Sequence, residues 1–233
     1  MAAFVVAHGA WSAGWAWKKM RPLLRQAGHE IYTPTYTGLG EREHLADPRV
    51  NLSTHVTDVV NVLEFEGLRD VILIGHSYGG MVATGVADRA PERIARLVYL
   101  DAFVPTDGQS LFDLVGPHAA ARMRDACQHG DGWRISPMDM PPDTSSEDRA
   151  WAVPLRRPQP IATLSEPLRL RTPMSVPTTY IYCTRVSPED TFGRFASTAK
   201  DKGWTYAEID ASHNPHITAP DALCSLLIAI AAT

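Results

Sequence analysis

The 233-residue chain is 45% hydrophobic and carries a formal net charge of −4, with both signs of charge spread along it. That content suffices for one large core and is short for two, so a single domain over residues 1–233 is expected, and the lack of a basic block or stripe excludes nucleic acid as a partner. Three cysteines, Cys127, Cys183 and Cys224, cannot all pair and have no metal-ligand spacing, which fits a reducing compartment and a cytoplasmic location.

In chain order, Met1 to Ala7 reaches His8-Gly9 without the basic flank of a signal peptide, so Phe4 to Ala7 reads as a first strand. A helical pattern over Trp15 to Gln26 stops at Gly28, and a strand follows at Glu30 to Thr33. Gly38-Leu39-Gly40 lacks the third glycine of a dinucleotide site and opens no helix after a first strand. That loop reads as bordering a pocket, with Arg42 and His44 solvated. Ser53 to Glu66 reads as a helix with a capping serine and a stop at Gly67. Strand Val71 to Ile74, helix Met81 to Ala90 before Pro91, and strand Arg96 to Leu100 come next.

The alternation breaks between Pro105 and Pro177, a stretch rich in proline, methionine and charge that includes Trp133 and Trp151 and shows no clear strand. It is too long for a plain loop and too apolar for a linker, so about 105–176 reads as a mostly helical cap over the sheet's carboxyl edge. Strands at Thr178 to Cys183 and Thr205 to Ile209 resume the pattern. The run Leu223 to Ala232 is too short to span a bilayer and reads as a buried helix; no membrane partner is expected. Strands alternating with helices predict an α/β fold with a mostly parallel sheet covered on both faces.

Gly75-His76-Ser77-Tyr78-Gly79 stands between the strand-like Val71-Ile72-Leu73-Ile74 and the helix-like Gly80-Met81-Val82-Ala83. By itself G-x-S-x-G recurs as a glycine-rich turn, but strand before and helix after make it a nucleophile elbow. The turn is so sharp that only glycines two residues to either side leave room, and it lifts the Ser77 hydroxyl to the helix N-terminus. A serine hydroxyl is a weak nucleophile at neutral pH; it needs a histidine to take its proton and an acid to orient that histidine. In the order serine, acid, histidine, the base follows the last strand, where Asp210-Ala211-Ser212-His213 stands. His213 is the expected base. His216 is its nearest rival, expected at the start of the final helix and pointing away. Oxyanion donors are expected from the N–H of Tyr78, after the serine, and of Ala10 in the loop His8-Gly9-Ala10-Trp11.

These residues resemble the α/β-hydrolase superfamily, within it the group of plant-hormone methyl-ester esterases and hydroxynitrile lyases. The similar stretches are His8-Gly9-Ala10-Trp11 through Trp15-Ala16-Trp17, Gly75 to Gly80, Tyr180 to Thr184 and Asp210 to His213. The resemblance spans nearly the whole chain and implies an α/β-hydrolase fold with a helical cap inserted after the sixth strand. The lyases carry threonine, glutamate and lysine where this chain has Gly9, His76 and Asn214. The resemblance therefore implies ester hydrolysis.

The acid departs from the pattern. The group places an aspartate two residues after the Cys-Thr that ends the seventh strand, and here that slot holds Val186. Similar dehalogenases carry the acid at the end of the neighbouring strand, which in this chain is Asp101; Glu189 and Asp190 are the alternatives, and Asp101 is favoured. The expectation is thus a carboxylic ester hydrolase acting on a small-molecule ester, with Ser77, His213 and Asp101 catalytic and Ala10 and Tyr78 binding the oxyanion. Its chemistry calls for no metal or organic cofactor. A receptor that lost turnover, admitted by the displaced acid, and a cofactor-free lyase or oxygenase are the rivals.

Overall fold

The computed structural model describes residues 1–171, 173, 175–186 and 189–232. In chain order the strands are β1 (Ala3–Ala7), β2 (Glu30–Tyr32), β3 (Val71–His76), β4 (Ile94–Leu100), β5 (Arg134–Ile135), β6 (Gln159–Pro160), β7 (Thr178–Cys183) and β8 (Thr205–Ile209). Six of them pair in parallel in the order β2-β1-β3-β4-β7-β8, while β5 and β6 form a separate antiparallel pair.

Side chains alternate across the sheet, and both faces are buried, which is why the strands read as near-continuous apolar runs. Val5, Leu73, Leu97, Tyr99 and Tyr180 point to one face. There they meet Val56, Val59 and Leu63 of α2 (Leu52–Phe65), Met81, Val82 and Val86 of α3 (Gly79–Arg89), and Phe195 and Ala199 of a later helix (Gly193–Asp201). Phe4, Val6, Ile72, Ile74, Val98, Leu100 and Ile181 point the other way. They pack on Trp17, on Met20 and Leu24 of α1 (Met20–Gln26), and on Leu223, Leu227 and Ile230 of the C-terminal helix (Pro220–Ala231). That helix is buried along one stripe, as its apolar run suggested.

The segment between β4 and β7 holds α4 (Leu111–Val115), α5 (Pro117–His129), α6 (Ser146–Ala152) and α7 (Ala162–Ser165) besides β5 and β6. Two expectations are corrected there. The insertion follows the fourth strand of this sheet rather than a sixth, since the described sheet has six strands in all. It also contains a strand pair, which the proline content of its sequence hid: Pro160 sits in β6, at an edge of a two-stranded pair where a missing N–H is tolerated. Positions 172 and 174 of the expected cap lie outside the described residues.

Helix boundaries moved for local reasons. The cap of α2 is Asn51, whose side chain accepts the Thr54 N–H at 2.9 Å, and not Ser53. Ser53 instead gives its N–H and hydroxyl to the Glu166 carboxylate, at 2.7 and 2.9 Å, which ties the insertion to the start of α2. A 3-10 turn over Gly14–Trp17 precedes α1, so the pattern from Trp15 is broken. β3 continues to His76 because Gly75 and His76 stay in register with Tyr99 and Leu100, and α3 then starts at Gly79 rather than Met81.

The chain leaves β1 for β2 on one side and returns to β3 on the other, so a crevice opens at the carboxyl ends of β1 and β3, where α/β sheets bind ligands. The start of α3 fits into it with almost no clearance. A Cβ on Gly79 would lie 1.9 Å from the Ala7 carbonyl oxygen at the end of β1, and one on Gly80 would lie 2.0 Å from the Phe103 oxygen. Both neighbours are backbone and cannot swing aside. Gly79→Ala is therefore expected to lower unfolding free energy by about 3 kcal/mol despite the better helix propensity of alanine, read as a shift in the urea midpoint at unchanged slope. A midpoint within error of the parent's would show that the elbow has room the geometry denies it.

Candidate active site

Ser77 has φ 55°, a left-handed backbone that costs an ordinary residue of order 1–2 kcal/mol and that the turn from β3 into α3 imposes. The tightness of the turn also explains Gly75, whose added Cβ would come 2.7 Å from the Gly79 oxygen and 2.8 Å from the Ala83 Cβ. Ser77 Oγ is thereby presented at the mouth of the crevice. His213 lies on the loop between β8 and a short helix α9 (Pro215–Thr218), with α8 (Gly193–Asp201) intervening earlier in the chain. Its Nε2 is 2.9 Å from Ser77 Oγ, and its Nδ1 is 2.7 Å from Asp101 Oδ2.

An aspartate can only accept here, so Nδ1–H donates to Asp101 and Nε2 is left to accept the Ser77 proton. Asp101 is 4% exposed and directly follows β4; its φ of 43° swings the side chain toward the end of β7, where Oδ1 accepts the Cys183 N–H at 3.3 Å. The Asp101 N–H in turn donates to the Ile181 oxygen at 2.8 Å. Burial, with the Asp101 charge beside it, pushes the Cys183 thiol well above its ordinary pKa, so it stays neutral. Phe192 stacks on His213, ring centroids 4.7 Å apart and planes 10° off parallel.

The structure thus brings Ser77, His213 and Asp101 into one hydrogen-bonded line. Glu189 and Asp190 are exposed, and the Asp190 carboxylate instead accepts the Tyr182 hydroxyl at 2.7 Å and the Gly193 N–H at 2.8 Å. Val186, in the slot where the resemblance expects the acid, is 49% exposed. Ala10 and Tyr78 both line the cavity over Ser77. His216 needs correction: rather than pointing away, it is buried, lines the cavity, stacks on Trp17 at 4.8 Å and meets the edge of His76 at 4.6 Å.

Further residues complete the surroundings. His76 Nε2–H donates to the backbone oxygen of His213 at 2.7 Å, tying the elbow to the histidine loop. A Cβ on Gly9 would lie 2.9 Å from His76 Nδ1 and 3.2 Å from Ser77 Cβ, so the first loop needs glycine to pack on the elbow. Trp11 has φ 56°; its backbone N–H donates to Gln159 Oε1 and its indole N–H to the Ile135 oxygen, both at 2.9 Å. The x position of G-x-S-x-G was a signal for His76; no local pattern marks Phe192 or Gln159. Above the elbow the insertion encloses a cavity of about 1110 Å³ with Trp11, Phe103, Leu111, Met123, Met140 and Phe192 on its walls. Arg42 turned out bonded rather than solvated, reaching Asp58 at 3.1 Å and the Thr35 oxygen at 2.8 Å, while His44 is exposed. Among the described residues no group of His, Cys, Asp and Glu could hold a metal ion.

A family model described as the alpha/beta hydrolase family matches residues 4–226. The carbendazim hydrolyzing esterase of Nocardioides sp. (strain SG-4G) is 39% identical over 99% of this chain and 100% of that protein. Salicylic acid-binding protein 2 of Nicotiana tabacum is 33% identical over 44% of this chain and 40% of that protein. Among solved structures, an extracellular α/β-hydrolase from a Paenibacillus species superposes with a TM-score of 0.86 at 26% identity, covering 98% of each chain.

Four further histidines lie wholly inside. Burial lowers His8, His55 and His216 to about 3 and takes His76 well below its ordinary value, because a charge there would have no water. In an unfolded chain they titrate near 6.5. Between those limits the unfolded state binds protons that the folded state refuses, so stability is complete above about pH 6.5 and is lost as pH falls toward 3. Each contributes a slope of up to about 1.4 kcal/mol per pH unit, large against a typical 5–15 kcal/mol of total stability. Urea midpoints measured at pH 7.5 and 5.0 are expected to fall steeply, and replacing His216 by glutamine is expected to flatten the drop. Equal midpoints at the two pH values would show that these rings are charged or hydrated.

Proposed function

The chain belongs to the alpha/beta hydrolase family and is a carboxylic ester hydrolase, and from that premise we propose that it cleaves its ester through an acyl-enzyme on Ser77. One observation carries the proposal: the unbroken line from Ser77 Oγ through His213 to Asp101, 2.9 and 2.7 Å per link, beneath a serine held in a left-handed turn. The Ser77 oxygen attacks the acyl carbon while His213 Nε2 takes its proton. Asp101 keeps the imidazole in the needed tautomer and favours the imidazolium that forms. The negative oxygen of the tetrahedral intermediate is met by the N–H groups of Ala10 and Tyr78 and by the N-terminal end of α3. His213 returns the proton to the leaving alcohol; a water then repeats the sequence on the acyl-enzyme, releasing the acid.

The carboxylate missing from the Val186 slot was the feature that admitted a receptor without turnover, and Asp101 fills its place. The insertion acts as a cap that keeps water off the reacting bond, and its aromatic and aliphatic walls suit an ester with a bulky apolar group. Carbendazim, which names the activity of the Nocardioides relative, is the first substrate to try. The three cysteines are all free and buried, which supports the cytoplasmic location expected from sequence.

Ser77→Ala is expected to lower turnover of p-nitrophenyl esters by about 10³ or more, leaving what binding and the oxyanion donors supply. A fluorophosphonate should label Ser77 in the parent and nothing in the variant. Asp101→Asn is expected to keep the fold and to lower turnover by up to about 10⁴, because the amide favours the wrong tautomer, whereas Glu189→Gln and Asp190→Asn keep most of the rate. Retention of a tenth of the parent rate by Ser77→Ala would remove the acyl-enzyme from the mechanism.

A further inference from the structure

The loop that carries Ala10 does not hold its own shape. Trp11, next to Ala10, sits at φ 56°, a conformation that a bulky side chain adopts only when its surroundings fix it. Two hydrogen bonds do so, and both acceptors belong to the insertion: Gln159 Oε1 takes the Trp11 backbone N–H and the Ile135 carbonyl takes the indole N–H. Ile135 and Gln159 are direct partners in the β5–β6 pair, so the loop is gripped by two facing residues of one small ladder.

Gln159 is itself fixed. It is fully buried, and its Nε2 donates at 2.8 Å to Thr163 Oγ1, which donates on to the Pro160 oxygen at 2.7 Å. A carboxamide suits the place because it accepts on one atom and donates on the other. A buried amide with both ends satisfied keeps one orientation, since rotating it would strand two polar groups.

The geometry points to Gln159, with its ladder partner Ile135, as the positioning element of the oxyanion hole: the insertion sets the direction of the Ala10 N–H and so arms the site only while it is seated. This rests on the acyl-enzyme reading above. Gln159 touches no reacting atom; it acts through the Trp11 peptide. With Gln159 unable to accept, the Trp11 N–H loses its partner, the left-handed turn relaxes, and the Ala10 N–H leaves the place where the oxyanion forms.

The test compares the parent with Gln159→Met, which keeps length and apolar volume and removes both polar ends. With p-nitrophenyl butyrate, kcat per fluorophosphonate-titrated site is expected to fall about 10- to 100-fold, somewhat less than outright loss of an oxyanion donor, with KM within about threefold. A butyl trifluoromethyl ketone supplies the second readout. Ser77 Oγ adds to its carbonyl carbon, the hydroxyl proton passes to His213, and the carbonyl oxygen becomes the oxyanion; its affinity should fall by the same factor as kcat/KM.

A parent-like kcat per titrated site overturns the inference. So does a fall in kcat with ketone affinity unchanged, since that would be a general loosening rather than a misplaced donor. Should Gln159→Met not fold, Trp11→Phe removes the indole bond to Ile135 alone and is expected to lower kcat by about three- to tenfold with the same split, an unchanged rate again overturning it. Failure of the underlying reading looks different: Ser77→Ala would keep its rate and the parent would not label at Ser77.

Discussion

The β3–α3 turn is the constraint from which the site is built. Ser77 must take φ 55° for the chain to pass from the central strand into a helix that begins two residues later, and the turn fits because Gly75, Gly79 and Gly80 leave no Cβ in its path. Gly79 rests on the last carbonyl of β1 and Gly80 on the Phe103 oxygen that follows β4. The same contacts that force the serine upward therefore hold together the carboxyl ends of β1, β3 and β4. Those are the strand ends that carry Ala10, Ser77 and Asp101. Strain at one residue is tolerable because three backbone segments share in fixing it.

Asp101 shows how a parallel sheet lets a carboxylate reach one histidine from either of two neighbouring strand ends. β4 and β7 are neighbours in register, Leu100 opposite Ile181, so the residue after β4 and the residues after β7 lie around one point in space. Asp101 exploits this with a positive φ and takes the Cys183 N–H as a second partner for its carboxylate. A buried carboxylate with only the histidine to meet would leave one oxygen without a partner; the Cys183 N–H supplies it.

The insertion is anchored by polar contacts at several separate places. Glu166 binds Ser53 at the start of α2, Asp148 pairs with Lys19 at 2.6 Å, Asp143 accepts the Ser212 N–H and hydroxyl beside His213, and Gln159 holds Trp11. Two of these anchors, at Ser212 and Trp11, fall on the loops that present His213 and Ala10. Covering the site and shaping it are thus the work of one segment. Leu111, Met123 and Met140 of the cavity wall belong to the same insertion as the residues that make the two loop contacts.

What the amino-acid sequence determined by itself is local. Glycine spacing around Ser77, the apolar runs of the strands and the alternation of strand with helix each depend on neighbours a few positions away, and they suffice for the parallel sheet, the elbow and the expected order of serine, acid and histidine. Even where the resemblance to a known family left the acid open, the candidates were three carboxylates, and the sequence could only rank them. Which of them meets His213 belonged to the tertiary structure, because His213 and Asp101 are 112 positions apart and the β4–β7 pairing brings them together. The Trp11–Gln159 bond spans 148 positions and has no sequence pattern at either end. Neither do the stacking of Phe192 on His213 and the burial of His216 against Trp17. Backbone turns are written in nearest neighbours, whereas the partner of a buried polar group is whatever the packed chain places within 3 Å of it, and that is decided only when the sheet and the insertion have closed on each other.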